Sequence, residues 1–126
     1  MERHNLLLSG PTISHNKNLI RSLSTYVSVI KNQNYNLIEP QLETYHIDLL
    51  VLEISNHEKF DIELINRIRN HYPNIKIIII NGKEDQRFIA KAISFGVNDV
   101  YREPCNVPLL VEKVYALLSL QDKLKI

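Results

Sequence analysis

The chain has 126 residues, 44% of them hydrophobic and 23% charged, with three glycines, five prolines, one cysteine and no tryptophan. That length fits one domain with a real core, since chains of about 150 residues bury roughly 68–70% of their unfolded surface, and the composition excludes disorder, collagen and a disulfide scaffold. Fifteen basic against fourteen acidic residues leave a net charge of +1, too little for electrostatic binding of nucleic acid or of a membrane surface.

Near the N-terminus the apolar run is three leucines, residues 6–8, shorter than the roughly 7–15 residues of a signal-peptide core. No stretch approaches the roughly 18 apolar residues of a membrane helix. The lone Cys105 fits a reducing compartment. The expected location is the cytoplasm, with neither nucleic acid nor membrane as partner.

Short apolar runs alternate with helical patterns. The first run is residues 5–9 (NLLLS), followed by a helix that Ser14 is placed to cap and that carries Leu19, Ile20, Leu23, Val27 and Ile30 at steps of three or four. Residues 35–39 (YNLIE) read as the second strand, and 41–46 leave room for a turn or two of helix. The third strand is 48–54 (DLLVLEI). Asp61 then caps a helix over 62–71 with Ile62, Ile65 and Ile68 at core spacing, a Glu63–Arg67 pair on its surface and Pro73 as its stop. Residues 76–80 (KIIII) form the fourth strand, and 85–95 the fourth helix with Gly96 as a left-handed stop. A short strand over 99–102 (DVYR) precedes a last helix that starts near Val107 and Pro108 and runs past Leu120. Consecutive apolar residues mark parallel strands covered on both faces. The expected fold is α/β and flavodoxin-like: a five-stranded parallel sheet of order 2-1-3-4-5 with helices on both faces.

In such a sheet, ligands sit beyond the carboxyl ends of the strands, beside the switch point between the first and third. The residues leaving those ends are Ser9 and Gly10, Glu53, Asn81 and Gly82, and Glu103. Two carboxylates, a carboxamide and a hydroxyl converge there.

In order, the chain reads LLLSG, DLLVLEIS, IIIING and GVNDVYREP, with 22 positions from Asn81 to Glu103. It resembles a two-component response-regulator receiver (CheY-like) domain over nearly its whole length. The resemblance assigns residues 1–120 to the receiver-like domain and 121–126 to a C-terminal tail or helix extension. It also places a degenerate phosphorylation pocket. The acid pair that holds Mg²⁺ falls on Ser9 and Gly10, the phosphoacceptor aspartate on Glu53, the hydroxyl residue on Asn81 and the lysine on Glu103. The switch aromatic falls on Val100, with Tyr101 next to it, and the Pro and Gly of the third-helix loop fall on His57 and Asp61. The bond between Glu103 and Pro104 is expected to be cis.

These departures imply that phosphotransfer is lost. Ser9 and Gly10 bring no charge for Mg²⁺, which prefers carboxylate oxygens and water, so no cofactor and no metal site are expected. Glu53 is one methylene longer than aspartate, and a misplacement of about 1 Å can cost 10²-fold. Glu103 inverts the charge that would neutralise a phosphoryl group. Reading Glu53 as a permanent mimic of the phosphorylated state is weakened because the hydroxyl and lysine that would read it are gone. If the Glu53 and Glu103 carboxylates lie about 5–6 Å apart, they repel by roughly 3 kcal/mol at an effective dielectric near 20, which calls for protonation of one of them or for a nearby cation, with Lys83 and Arg102 as the candidate neutralising neighbours. With no sugar-stacking aromatics and no cleft, glycosidase chemistry is not expected. The five histidines, His4, His15, His46, His57 and His71, lack metal-ligand spacing.

The expectation is a pseudo-receiver and not an enzyme: a signalling module that binds a partner or an output domain in another chain. A homodimer through the fourth helix, fifth strand and fifth helix would use Phe88, Tyr101, Val111 and Tyr115. The alternative is a small-molecule or metal sensor using the Glu53/Glu103 pocket.

Overall fold

The computed structural model describes residues 3–55, 60–82 and 85–120. His57, Lys83 and the tail 121–126 lie outside them. Five strands, β1 (His4–Ser9), β2 (Val27–Asn32), β3 (Leu49–Ile54), β4 (Lys76–Asn81) and β5 (Asp99–Arg102), make one parallel sheet of order β2-β1-β3-β4-β5. The helices are α1 (Lys17–Ser24), α2 (Ile38–Thr44), α3 (Glu63–His71), α4 (Gln86–Ser94) and α5 (Val107–Leu117). The flavodoxin-like expectation holds.

Strand parity builds the core. Leu7, Leu50, Leu52, Ile54, Ile77 and Ile79 face α2, α3 and α4, meeting Leu42, Ile65, Ile68 and Phe88. Leu6, Leu8, Leu49, Val51, Ile78 and Ile80 face α1 and α5, meeting Leu19, Leu23, Leu110 and Val114. Both faces of the central strands are covered, hence their unbroken apolar runs. Among the described residues no helix is long and apolar enough to cross a membrane.

The first half departs from the sequence reading. The first helix stops at Ser24, and Val27 and Ile30 belong to β2, paired with His4 and Leu7 of β1. Residues 35–37 are a single 3₁₀ turn leading into α2, not the second strand. Asn16, not Ser14, caps α1 by accepting from the Leu19 N–H at 3.0 Å, while Ser14 Oγ donates to the Gly10 carbonyl at 2.6 Å. In α3, Arg67 pairs with Asp61 and Glu39, and Glu63 pairs with Lys91 of α4, so the expected Glu63–Arg67 pair gives way to longer-range partners. The last helix ends at Leu117 instead of running past Leu120, and Ser119 takes a positive φ of 59°.

The expected interface is also corrected. Phe88, Val111 and Tyr115 are core residues, exposed by 9%, 9% and 3%. Phe88 stacks edge-on with Phe60, and Tyr115 with Tyr26, its hydroxyl donating to the Ser22 carbonyl at 3.1 Å. Amphipathic spacing fills the inward face first, and these three lie on it. Tyr101 is half-buried, and burial together with Asp99 pushes its phenol up to about 12.

Candidate functional site

The carboxyl ends of β1, β3, β4 and β5 meet at one edge of the sheet. Chain parity then separates the expected site residues. Glu53 continues the Leu49–Val51 face toward α1 and α5, whereas Ser9 continues the Leu7 face toward α2. Ser9 Oγ donates to Asn32 Oδ1 at 2.7 Å, and Asn32 Nδ2 donates to Gln41 Oε1 at 2.5 Å, so the hydroxyl is committed to a polar chain joining β1, β2 and α2. Asn81 is buried and stands opposite Ile54 in the β3–β4 register, not opposite Glu53. Arg102 is exposed.

Glu53 is 2% exposed. Its Oε1 accepts from the N–H groups of Thr12 and Ile13, each at 2.8 Å. Two backbone donors fix the direction of the carboxylate. Space for the bend comes from Gly10, whose φ of +146° is open to glycine, and where a Cβ would sit 2.5 Å from both Cβ and Oε1 of Glu53. The Tyr35 hydroxyl donates to the Glu53 carbonyl, and its ring packs edge-on against Phe60. Thr12, Ile13 and Tyr35 are not legible from sequence as site residues: backbone donors leave no side-chain signal, and only the turn-forming Gly10–Pro11 pair marks the loop.

Glu103 reaches the same place from β5, followed by a cis bond to Pro104 as expected. Burial raises its pKa, and the adjoining Glu53 carboxylate raises it further by hydrogen bonding and charge. Oε1 of Glu103 is buried and meets no hydrogen-bond partner among the described residues. Burial, then the negative Glu103 and Glu53, also raise the Cys105 thiol, keeping it protonated. Beside the two glutamates lies a cavity of about 560 Å³ lined by Thr12, Ile13, Asn16, Ile80, Pro104 and Cys105.

Known proteins place this architecture. No family model matches the chain. The transcriptional regulatory protein KdpE of Staphylococcus aureus is 27% identical over 89 residues, 71% of this chain and 38% of that protein's length. A response regulator from Thermotoga maritima is similar with a TM-score of 0.81 at 21% identity, covering 94% of this chain and 99% of that one. A CheY-like response regulator receiver domain protein from Methanospirillum hungatei JF-1 gives 0.83 at 17% identity, covering 97% and 98%. The chain has the response-regulator receiver fold. HP1043, an orphan response regulator of H. pylori, shares that receiver fold with a TM-score of 0.81 at 16% identity, covering 93% and 99%.

Within the receiver fold, the Glu53–Glu103 contact has a measurable consequence. A group whose pKa is raised by folding gives stability that is fully present below the ordinary carboxylate range and is lost as pH rises through the raised value. Urea unfolding at about pH 5 and pH 8 should therefore show the wild type losing stability relative to Glu103→Gln. At pH 8 the glutamine variant should be the more stable by about 1 kcal/mol, because it removes a charge and supplies a donor to the adjoining Glu53 carboxylate. A parallel pH response of the two proteins would contradict the raised pKa of Glu103.

Proposed function

We propose that this chain is a receiver-type signalling module that works without phosphorylation, by binding a protein partner in the cytoplasm. The observation that carries the reading is the commitment of Glu53 Oε1 to the Thr12 and Ile13 N–H groups. A carboxylate that attacks phosphorus needs a lone pair aimed at the phosphoryl donor, and positioning accounts for most of such catalysis. Here that oxygen is turned back into the loop after β1.

The surrounding donor set argues in the same direction. Mg²⁺ requires hard oxygens in near-octahedral array. Ser9 spends its proton on Asn32, Gly10 has no side chain, and Glu53 Oε1 already takes two donors. These residues do not suit the ion. Glu103 adds negative charge where a transferred phosphoryl group would bring its own. The Cys105 thiol is held protonated, away from a nucleophilic thiolate, which fits a binding protein better than an enzyme.

The partner in this reading is an output-bearing protein in another chain or a second copy of this one. KdpE of S. aureus is a transcriptional regulatory protein of which the match spans 38%, so output there has ample chain outside the matched segment. Incubation with acetyl phosphate and Mg²⁺, followed by intact-mass measurement, should leave the protein without a phosphoryl adduct. Beryllofluoride with Mg²⁺ should leave its amide NMR spectrum unmoved. An adduct on Glu53, or beryllofluoride shifts around it, would refute the proposal.

A further inference from the structure

We propose that the cavity beside Glu53 and Glu103 is a binding site for a small organic cation: a primary ammonium carried on an apolar, ring-sized body. The reasoning is independent of how the module signals. Among the described residues, the buried Glu103 Oε1 is an acceptor without a donor, and such an atom costs stability until a donor reaches it. The cavity that Glu53 and Glu103 line holds about 560 Å³, inside the roughly 300–1,000 Å³ of small-molecule pockets. Its lining combines apolar Ile13, Ile80, Pro104 and Cys105 with polar Thr12 and Asn16 and the two glutamates, Glu53 and Glu103.

That combination selects the ligand. Burial and the adjoining Glu53 raise the Glu103 pKa, and burial and these carboxyls raise the Cys105 thiol beside them and the Tyr35 phenol behind them. Among the described residues two carboxyl groups and no basic side chain line the cavity, which disfavours phosphate and carboxylate ligands. An ammonium brings three donors and a positive charge to the two carboxyl groups that line the cavity. A bare metal ion fits less well. Glu53 Oε1 is already faced by two N–H groups whose hydrogens lie where a metal would need lone pairs, and no three His, Cys, Asp or Glu side chains gather into a metal-holding group among the described residues. The apolar walls would lie idle against a lone ion but bury a ring.

The probe is 2-phenylethylamine, titrated into the full chain at neutral pH and followed by amide NMR shifts. Its neutral counterpart 2-phenylethanol and MgCl₂ serve as separate arms. Saturable shifts are expected at Thr12, Ile13, Gly82 and Cys105, with the alcohol weaker by about tenfold or more, since a charge-assisted hydrogen bond is at stake. Glu103→Gln should weaken the amine by a similar factor. Cys105→Phe, which leaves both glutamates in place and fills the cavity, should weaken amine and alcohol alike. The proposal fails if the amine gives no saturable shifts, if the alcohol binds as well, or if Mg²⁺ saturates the same amides. It fails equally if Cys105→Phe binds the amine like the wild type, and that outcome counts even if Glu103→Gln does not fold.

Discussion

Gly10→Ala should destabilise the protein by about 3–5 kcal/mol. The φ of +146° at this residue is strained for any side chain, at roughly 1–3 kcal/mol. The added Cβ would also lie 2.5 Å from Glu53 Cβ and 2.5 Å from Oε1, so one of the two chains must move. Neither moves easily. Gly10 N–H donates to the Asn32 carbonyl at 3.0 Å, and the Gly10 carbonyl takes the Ser14 hydroxyl at 2.6 Å. Glu53 sits in the centre of the sheet, with its oxygen fixed by two backbone donors. Urea unfolding of Gly10→Ala, Glu53→Ala and the double variant measures the coupling. The double should be less destabilised than the sum by about 1 kcal/mol or more, because removing the carboxylate frees part of the space while the Cβ–Cβ approach remains. A Gly10→Ala variant within about 1 kcal/mol of wild type would show that the glycine is not required.

That coupling explains why the pocket's substitutions belong together. Glu53 carries one methylene more than the aspartate of the receiver resemblance, and Gly10 carries no side chain where the resemblance has an acid. The longer carboxylate occupies the volume that the missing side chain leaves. Shortening Glu53 alone would strand the Thr12 and Ile13 N–H groups, and adding an acid at Gly10 alone would collide with Glu53. On the proposed reading, a phosphorylatable pocket would need concerted change at both positions.

How much of this is legible in the sequence follows from where each residue sits in the sheet. The central strands β1, β3 and β4 are buried on both faces, so their unbroken apolar runs announce them. The edge strand β2 escapes the sequence reading because it pairs with β1 alone and carries a mixed pattern of buried and half-exposed residues. Val27 and Ile30 also continue the helical spacing of Leu19 and Leu23, and no glycine or proline marks the turn at Thr25–Tyr26. Strand ends predict which residues approach the site edge, and Glu53 and Glu103 do meet there. Parity, which a one-residue count decides, sends Ser9 to Asn32 and Asn81 to the face of Ile54. The donors that govern Glu53 are backbone groups and cannot be read from side-chain identity at all.

Replacing Arg69 with alanine should cost about 3 kcal/mol, through a device remote from the glutamates but supporting the strand that carries one of them. The half-buried guanidinium gathers carbonyls from two loops. Nη1 donates to Tyr72 at 3.3 Å, Pro73 at 3.0 Å and Ile75 at 2.6 Å, and Nη2 donates to Gly96 at 2.9 Å. The loop between α3 and β4 is thereby tied to the loop between α4 and β5, where Asn98 also takes the Ile77 N–H at 2.8 Å. Burial lowers the Arg69 pKa, yet the group stays charged, and losing it removes charge-assisted donors from carbonyls of both loops. Lysine should recover less than half of the loss, because a single ammonium cannot span both loops as the planar fork does. Gly96 completes the clasp: its φ is +91°, and a Cβ there would come 2.9 Å from Arg69 Nε. In thermal unfolding, Arg69→Ala should lower Tm by about 10 °C. Hydrogen exchange should accelerate first at Asn98 and Ile77, the amides that join the two loops. A small Tm change with uniform exchange would place the stability of β5, and with it the position of Glu103, in the sheet ladder alone.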